Sequence, residues 1–266
     1  MQLQPSRPRR QTAEPVAITL IPVLADNYVI VLQRGQRAVV VDPAVAEPVR
    51  RWLQERNLAL EAVLQTHHHT DHIGGTPDLL ATWPEAAVIA AVADRSRIPF
   101  QTLGVGEGDQ LPLLGGRLGV MEVPGHTRHH IAFVFHEGAE HSTGTAVVSP
   151  DLFCGDTLFA GGCGRLFEGT AEQMHASLRR LAALPEATRV WCAHEYTATN
   201  LAWAASERPD DAAIETRLQS VREQRARGLP TLPSSIGLER ATNLFLRAAD
   251  AGEFARLRLS RNGWQG

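Results

Sequence analysis

The chain has 266 residues and a formal charge of −3, with 44% hydrophobic and 21% charged side chains, the mixture of a globular protein with room for one large or two modest domains. All 26 basic residues are Arg, which excludes a lysine Schiff base or a phosphate-loop lysine, and the slightly acidic balance gives no electrostatic case for nucleic acid or an anionic membrane. Three cysteines, Cys154, Cys163 and Cys192, lack zinc-finger spacing and read as packing thiols of a cytoplasmic protein.

Residues 1–15 have no apolar stretch for a secretory signal, and Pro5 and Pro8 oppose an amphipathic import helix, so they read as a flexible leader. From Val16 to His194 short apolar runs alternate with turns or helical stretches. The runs Val29–Leu32, Ala38–Val41, Ala62–Leu64, Ala87–Ala90, Gly119–Val123, Ile131–Phe135 and Ala146–Val148 predict strands of a mixed α/β domain. Between them, Glu47–Glu55 and Glu172–Leu184 carry helical spacing, the second with Thr170 and Gln173 as a capping box. Past His194 no strand is expected. Asp211–Arg227 and Glu239–Ala249 predict helices on either side of the Pro-rich connector Leu229–Ser235, so 195–266 reads as a small helical domain behind a domain spanning 16–194.

The densest chemistry is Thr66-His67-His68-His69-Thr70-Asp71-His72, directly after the strand Ala62–Leu64. His67 and His69, two apart in an extended loop, project to one side and can share a metal ion, while Asp71 and His72 come one turn later and can face a second. His68 then points away. His126, Asp156 and His194 each follow an apolar strand and a small residue, where a tight turn exposes a side chain at a sheet edge. Five His and two Asp supply two divalent ions with one carboxylate shared. Asp42, after Val39–Val41, is a candidate support for that set, as is His129 or His130. His136, His141 and His175 read as inert.

The pattern His67-x-His69-x-Asp71-His72 with His126, Asp156 and His194 resembles the metallo-β-lactamase superfamily, which implies an αβ/βα sandwich with a metal site at the edge of its sheets. Five further stretches, Leu24–Tyr28, Gly155–Phe159, Gly162–Thr170, His194–Thr197 and Asn243–Arg247, are similar to the glyoxalase II or hydroxyacylglutathione hydrolase family. The resemblance implies His67, His69 and His126 on one ion, Asp71, His72 and His194 on the other, and Asp156 bridging both. It further implies zinc, or iron or manganese, as the two ions. A metal-bridging hydroxide assisted by Asp71 would cleave S-(2-hydroxyacyl)glutathione, chiefly S-D-lactoylglutathione to D-lactate and glutathione, the second step of methylglyoxal detoxification.

Arg165, Phe167 and Tyr196 would meet the glutathione part and Arg258 and Arg261 its glycine carboxylate, on a monomer without nucleic-acid or membrane partners. Phe167 stands where some members have Tyr, and Leu244 where Pro is usual. A persulfide dioxygenase or lactonase of the same fold is the alternative enzyme. A non-catalytic binding module is the alternative outside enzymes.

Overall fold

In a computed structural model describing residues 14–138 and 149–266, the chain forms two six-stranded sheets. Most of the expected leader, the strand expected at Ala146–Val148 and His141 lie outside the described residues. The first sheet takes β1 (Ala17–Val23), β2 (Asn27–Arg34) and β3 (Arg37–Val41) as an antiparallel meander. It continues in parallel through α1 (Glu47–Glu55) to β4 (Ala59–Leu64), through α2 (Thr70–Ile73) and α3 (Thr76–Thr82) to β5 (Ala87–Ala91), and on to β6 (Leu103–Val105). The second sheet holds β7 (Gln110–Leu113), β8 (Gly116–Glu122), β9 (Ile131–His136) and β10 (Asp151–Gly155). A small hairpin, β11 (Leu158–Phe159) with β12 (Gly162–Cys163), leads to α4 (Ala171–Ala182) and β13 (Arg189–Cys192), which lies parallel to β10.

Period two explains the continuous apolar runs, because both faces of each sheet are covered. In β2, Ile30 and Leu32 face the opposite sheet, while Val29 and Val31 face Val49 and Leu53 of α1 and Leu79 of α3. In β9, Phe133 and Phe135 enter the layer between the sheets, and Ala132 and Val134 face Met174, Leu178 and Leu181 of α4. Helices on both outer faces complete an αβ/βα sandwich. The expected capping box is present, with the Thr170 hydroxyl accepting from Gln173 N and the Gln173 side chain accepting from Thr170 N.

Past His194 come α5 (Thr197–Glu207), α6 (Ala212–Ala226), β14 (Ser234–Ser235), α7 (Ile236–Thr242), α8 (Leu244–Arg247) and α9 (Ala251–Gly263). Two expectations are corrected here. The connector carries the two-residue β14, which pairs with β13 and extends the second sheet. The helix expected across Glu239–Ala249 breaks at Asn243, because the Asn243 side chain accepts from Phe245 N and starts a new turn. These helices share one apolar cluster with α4 and the outer face of the second sheet, including Trp203, Phe245 and Phe254. Among the described residues no helix is long and apolar enough to cross a membrane.

Candidate metal centre

The turns that follow β3, β4, β8, β10 and β13 bring Asp42, His67–His72, His126, Asp156 and His194 together at one rim of the sandwich. Gly155 has φ +46°, and a Cβ there would lie 2.3 Å from Thr66 Oγ1, so only glycine lets the chain turn from β10 to Asp156. Gly164 is as constrained, since a Cβ would meet Asp156 O at 1.9 Å and His126 Nδ1 at 3.0 Å. Asp42 takes the left-handed conformation (φ 48°) without being glycine, a strain of about 1–3 kcal/mol that aims its carboxylate at the histidine loop.

His67, His69 and His126 form the first cluster. His69 Nδ1 lies 3.0 Å from both His67 Nε2 and His126 Nε2. The far nitrogens of two rings are committed. His126 Nδ1 donates to the Arg165 carbonyl (2.9 Å), and His67 Nδ1 meets Thr66 Oγ1 (3.0 Å), whose own hydrogen goes to Asp42 Oδ2 (2.6 Å). Both Nε2 atoms therefore present lone pairs, and one hydrogen on His69 cannot satisfy two of them. Three nitrogens with more lone pairs than protons fit a divalent cation. Burial, reinforced by neighbouring histidines, pushes His67 well below its ordinary range and His69 down to about 4. His126 is lowered too, by burial.

Asp71, His72 and His194 form the second cluster, backed by carboxylates. His72 Nδ1 is 3.0 Å from Asp42 Oδ2 and His194 Nδ1 is 2.8 Å from Asp26 Oδ1. A carboxylate accepts only, so Nε2 of each ring turns inward. Asp71 Oδ2 stands 3.7 Å from His72 Nε2 and 3.6 Å from His194 Nε2, with its side chain 43% exposed. Burial favours the neutral rings, yet Asp156 and Asp42 hold His72 well above its usual range, and Asp156 and Asp26 raise His194.

Asp156 lies between the clusters. Its Oδ1 is 3.3 Å from His72 Nε2 and 3.4 Å from His194 Nε2, and its Oδ2 is 3.4 Å from His126 Nε2. His72 Nε2 and Asp156 Oδ1 are both buried without a hydrogen-bond partner, a costly state that a shared cation relieves. Against the pull of burial, His72 and His194 keep the Asp156 carboxyl well below its ordinary range.

A cavity of about 790 Å³ opens on this rim. His69, Asp71, His126, Asp156 and His194 form its floor, and Arg165, Phe167, Tyr196, Arg258 and Arg261 its walls, while His67 and His72 are buried behind the floor. Tyr196 stacks on His194 at 4.8 Å, and burial and the Asp26 carboxylate raise its phenol. Phe167, 62% exposed, turns its edge toward His69 and His126. Burial and the charges of Arg258 and Arg165 lower Arg261, as expected where like charges crowd one cavity. Arg258 is itself buried and donates to the Cys163 carbonyl at 2.8 Å.

Of the residues singled out as inert or supporting, His68 meets Arg97 (3.2 Å) outside the cluster and His130 Nε2 accepts from Asp156 N (3.1 Å). Sequence reasoning assigned no role to Asp26, Thr66 or Asn200. Asp26 lies in the Leu24–Tyr28 stretch, which was the available signal.

The sandwich with a His/Asp cluster at its rim defines a metal-dependent protein of the metallo-β-lactamase class, and the family model described as the metallo-beta-lactamase superfamily matches residues 22–194. The model described as the hydroxyacylglutathione hydrolase C-terminus matches residues 195–264. A hydroxyacylglutathione hydrolase of Parasynechococcus marenigrum (strain WH8102) is 59% identical over 92% of this chain and 96% of its own, and one of Synechococcus sp. (strain CC9605) is 57% identical over the same shares. Among solved structures, ETHE1 from Myxococcus xanthus shares the fold, with TM-score 0.67 and 24% identity over 94% of this chain and 92% of its own. TTHA1623, solved in a di-iron-bound form, has TM-score 0.57 and 25% identity over 86% of this chain and all of its own. This chain belongs to the hydroxyacylglutathione hydrolases of the metallo-β-lactamase superfamily.

Proposed function

We propose that the protein hydrolyses the thioester of S-(2-hydroxyacyl)glutathione, taking S-D-lactoylglutathione to D-lactate and glutathione. The observation that carries this reading is Asp156, whose two oxygens face two different sets of donors beneath an arginine-walled cavity. His67, His69 and His126 would hold one divalent ion, Asp71, His72 and His194 the other, and Asp156 both. Zinc suits the mixed His and carboxylate donors, as do iron and manganese, and the di-iron form of TTHA1623 supports a pair of ions. When bound, such ions bring the pKa of water from about 16 toward about 7 and polarise an acyl carbonyl.

The chain's own residues do the rest. Asp71, half exposed and with its Oδ2 held by Asn27 Nδ2 (3.3 Å), orients the attacking water and takes its proton. Arg258 and Arg261 grip the glycine carboxylate of glutathione, since Arg offers a planar fork to a carboxylate, and Arg165 meets the rest of it. Tyr196 and Phe167 meet the peptide part. Arg258 also donates to the Cys163 carbonyl, which fixes it in the cavity wall. The departing thiolate needs no acid, because a thiol pKa lies near 8.5.

In this reading residues 16–194 are the metal-binding domain, 195–266 bind substrate, and 1–15 are a flexible leader. The protein works as a cytoplasmic monomer on a small molecule. The persulfide dioxygenase alternative would leave Asp71 and His72 away from a metal, and the convergence of both on His194 speaks against it. Metal analysis beside a thiol-release assay on S-D-lactoylglutathione tests the reading. Two ions per chain with thiol release are expected, and fewer ions, or no thiol from metal-replete protein, would overturn it.

A further inference from the structure

The β11–β12 hairpin begins two residues after Asp156, and besides its own strand pairing its backbone is held by side chains from the helices beyond His194. Asn243 Nδ2 donates to the Phe159 carbonyl (3.2 Å) and the Gly162 carbonyl (2.9 Å). Asn200 Nδ2 donates to the Ala160 carbonyl (3.2 Å), Glu239 Oε2 accepts from Gly161 N (2.8 Å), and Arg258 Nη1 donates to the Cys163 carbonyl (2.8 Å). Five consecutive residues thus have a backbone polar group met by α5, α7, the Asn243 cap or α9.

Glu239 is fully buried and would be costly alone. It is paired with Arg217 (2.5 Å), accepts from Ser234, and accepts from Asn243 Nδ2 (2.9 Å), which fixes the donor that reaches the hairpin. Asn200 packs so closely on the hairpin that a Cβ on Gly162 would meet its Nδ2 at 2.4 Å. Its motion reaches the centre by two routes. The Phe159 ring lies edge-on to His194 (5.7 Å) and Tyr196 (5.3 Å), and Gly164, just past Cys163, touches the Asp156 backbone.

We infer that Asn243, with Glu239 behind it, is a positioning residue for the metal centre: the helical segment sets the placement of Asp156 and His194 through the β11–β12 hairpin as well as walling the substrate cavity. This inference rests on the reading of those residues as metal ligands. Asn243→Ser keeps an oxygen to cap Phe245 N but is too short to reach the Phe159 and Gly162 carbonyls. A buried substitution on α6 away from the hairpin, Ile214→Val, serves as a control for lost stability.

The experiment compares zinc-loaded wild type, Asn243→Ser and Ile214→Val by the rate at which excess carboxylate chelator removes zinc, with Tm measured alongside. Asn243→Ser is expected to lose zinc about tenfold faster, the low end for loss of support behind a metal ligand, while Ile214→Val keeps the wild-type rate despite its lower Tm. An Asn243→Ser rate equal to wild type, or equal to that of the control, overturns the inference. If Asn243→Ser does not fold, Asn200→Ala decides by the same readout: faster zinc loss supports the clamp and an unchanged rate overturns it. A wild type that binds zinc and releases thiol while the variants leave zinc retention unchanged defeats the clamp alone. A wild type that binds no zinc, iron or manganese defeats the functional reading along with it.

Discussion

The two clusters on either side of Asp156 are built on opposite electrostatic plans. The His67, His69 and His126 set is made of rings that burial keeps neutral, with lone pairs already facing one another. The Asp71, His72 and His194 set is backed by Asp42 and Asp26, whose charges favour protonated rings until a cation takes their place. One rim therefore offers a preformed neutral site beside an anionic one, and the carboxylate of Asp156 serves both. The difference teaches that ligand identity alone does not define a metal site: the atom behind each imidazole decides which protonation state the folded protein prefers.

The largest effect is expected where the comparison joins. Asp156→Asn removes the charge common to both clusters and should lower kcat/KM for S-D-lactoylglutathione by about three orders of magnitude, since several kcal/mol of charge stabilisation are at stake. Metal analysis of the same variant should show fewer ions per chain, whereas a fully loaded, active Asp156→Asn would dissolve the link between the clusters.

Asp26→Asn, behind His194 of the second cluster, breaks the comparison on one side. It should weaken binding at the second cluster by about 10–100-fold and leave the first nearly unchanged. Competition titrations with a chelator read the two affinities separately, and an equal loss at both would show that the clusters are a single unit.

Acidity sharpens the same contrast. His72 is held well above its ordinary value and His194 above it, so protons compete with a cation there more than at the first cluster, and affinity should rise with pH, by about tenfold per pH unit for each proton displaced. His69, lowered to about 4, keeps its lone pair throughout that range, so affinity at the first cluster should be flat between pH 5.5 and 7.5, roughly the span open to an ordinary histidine. Metal titrations across that range check this, and a matching slope at both sites would contradict it.

The smallest effect concerns the cavity wall. Arg261→Ala should raise KM about fivefold with kcat nearly unchanged, the value of one partly exposed charged contact made equally in substrate and transition state. Arg258→Ala should instead lower Tm as well, because Arg258 is buried against the Cys163 carbonyl. Steady-state kinetics and thermal melts of the two variants separate a grip on substrate from a support of the wall.

Much of this centre was legible along the chain. A strand, a small residue and then His or Asp marked His126, Asp156 and His194, because a side chain exposed at a sheet rim needs that local grammar. The backing atoms left no such trace. His194 and Asp26 are 168 residues apart, and no periodicity couples them. That Arg258 also holds the Cys163 carbonyl could not be read from its register on α9. At Asn243 the helical pattern of Glu239–Ala249 was interrupted by a residue whose side chain caps one helix and holds the hairpin, and tertiary contacts there overrode local propensity.

The claim that one neutral and one proton-loaded site share Asp156 is tested most directly by titrating the metal-free protein with zinc at pH 7 in buffers of different ionisation heat. Two ions per chain are expected, one entering the all-histidine cluster with little proton release and the other with more, because His72 and His194 are raised. A single ion per chain, or equal proton release at both steps, would contradict it.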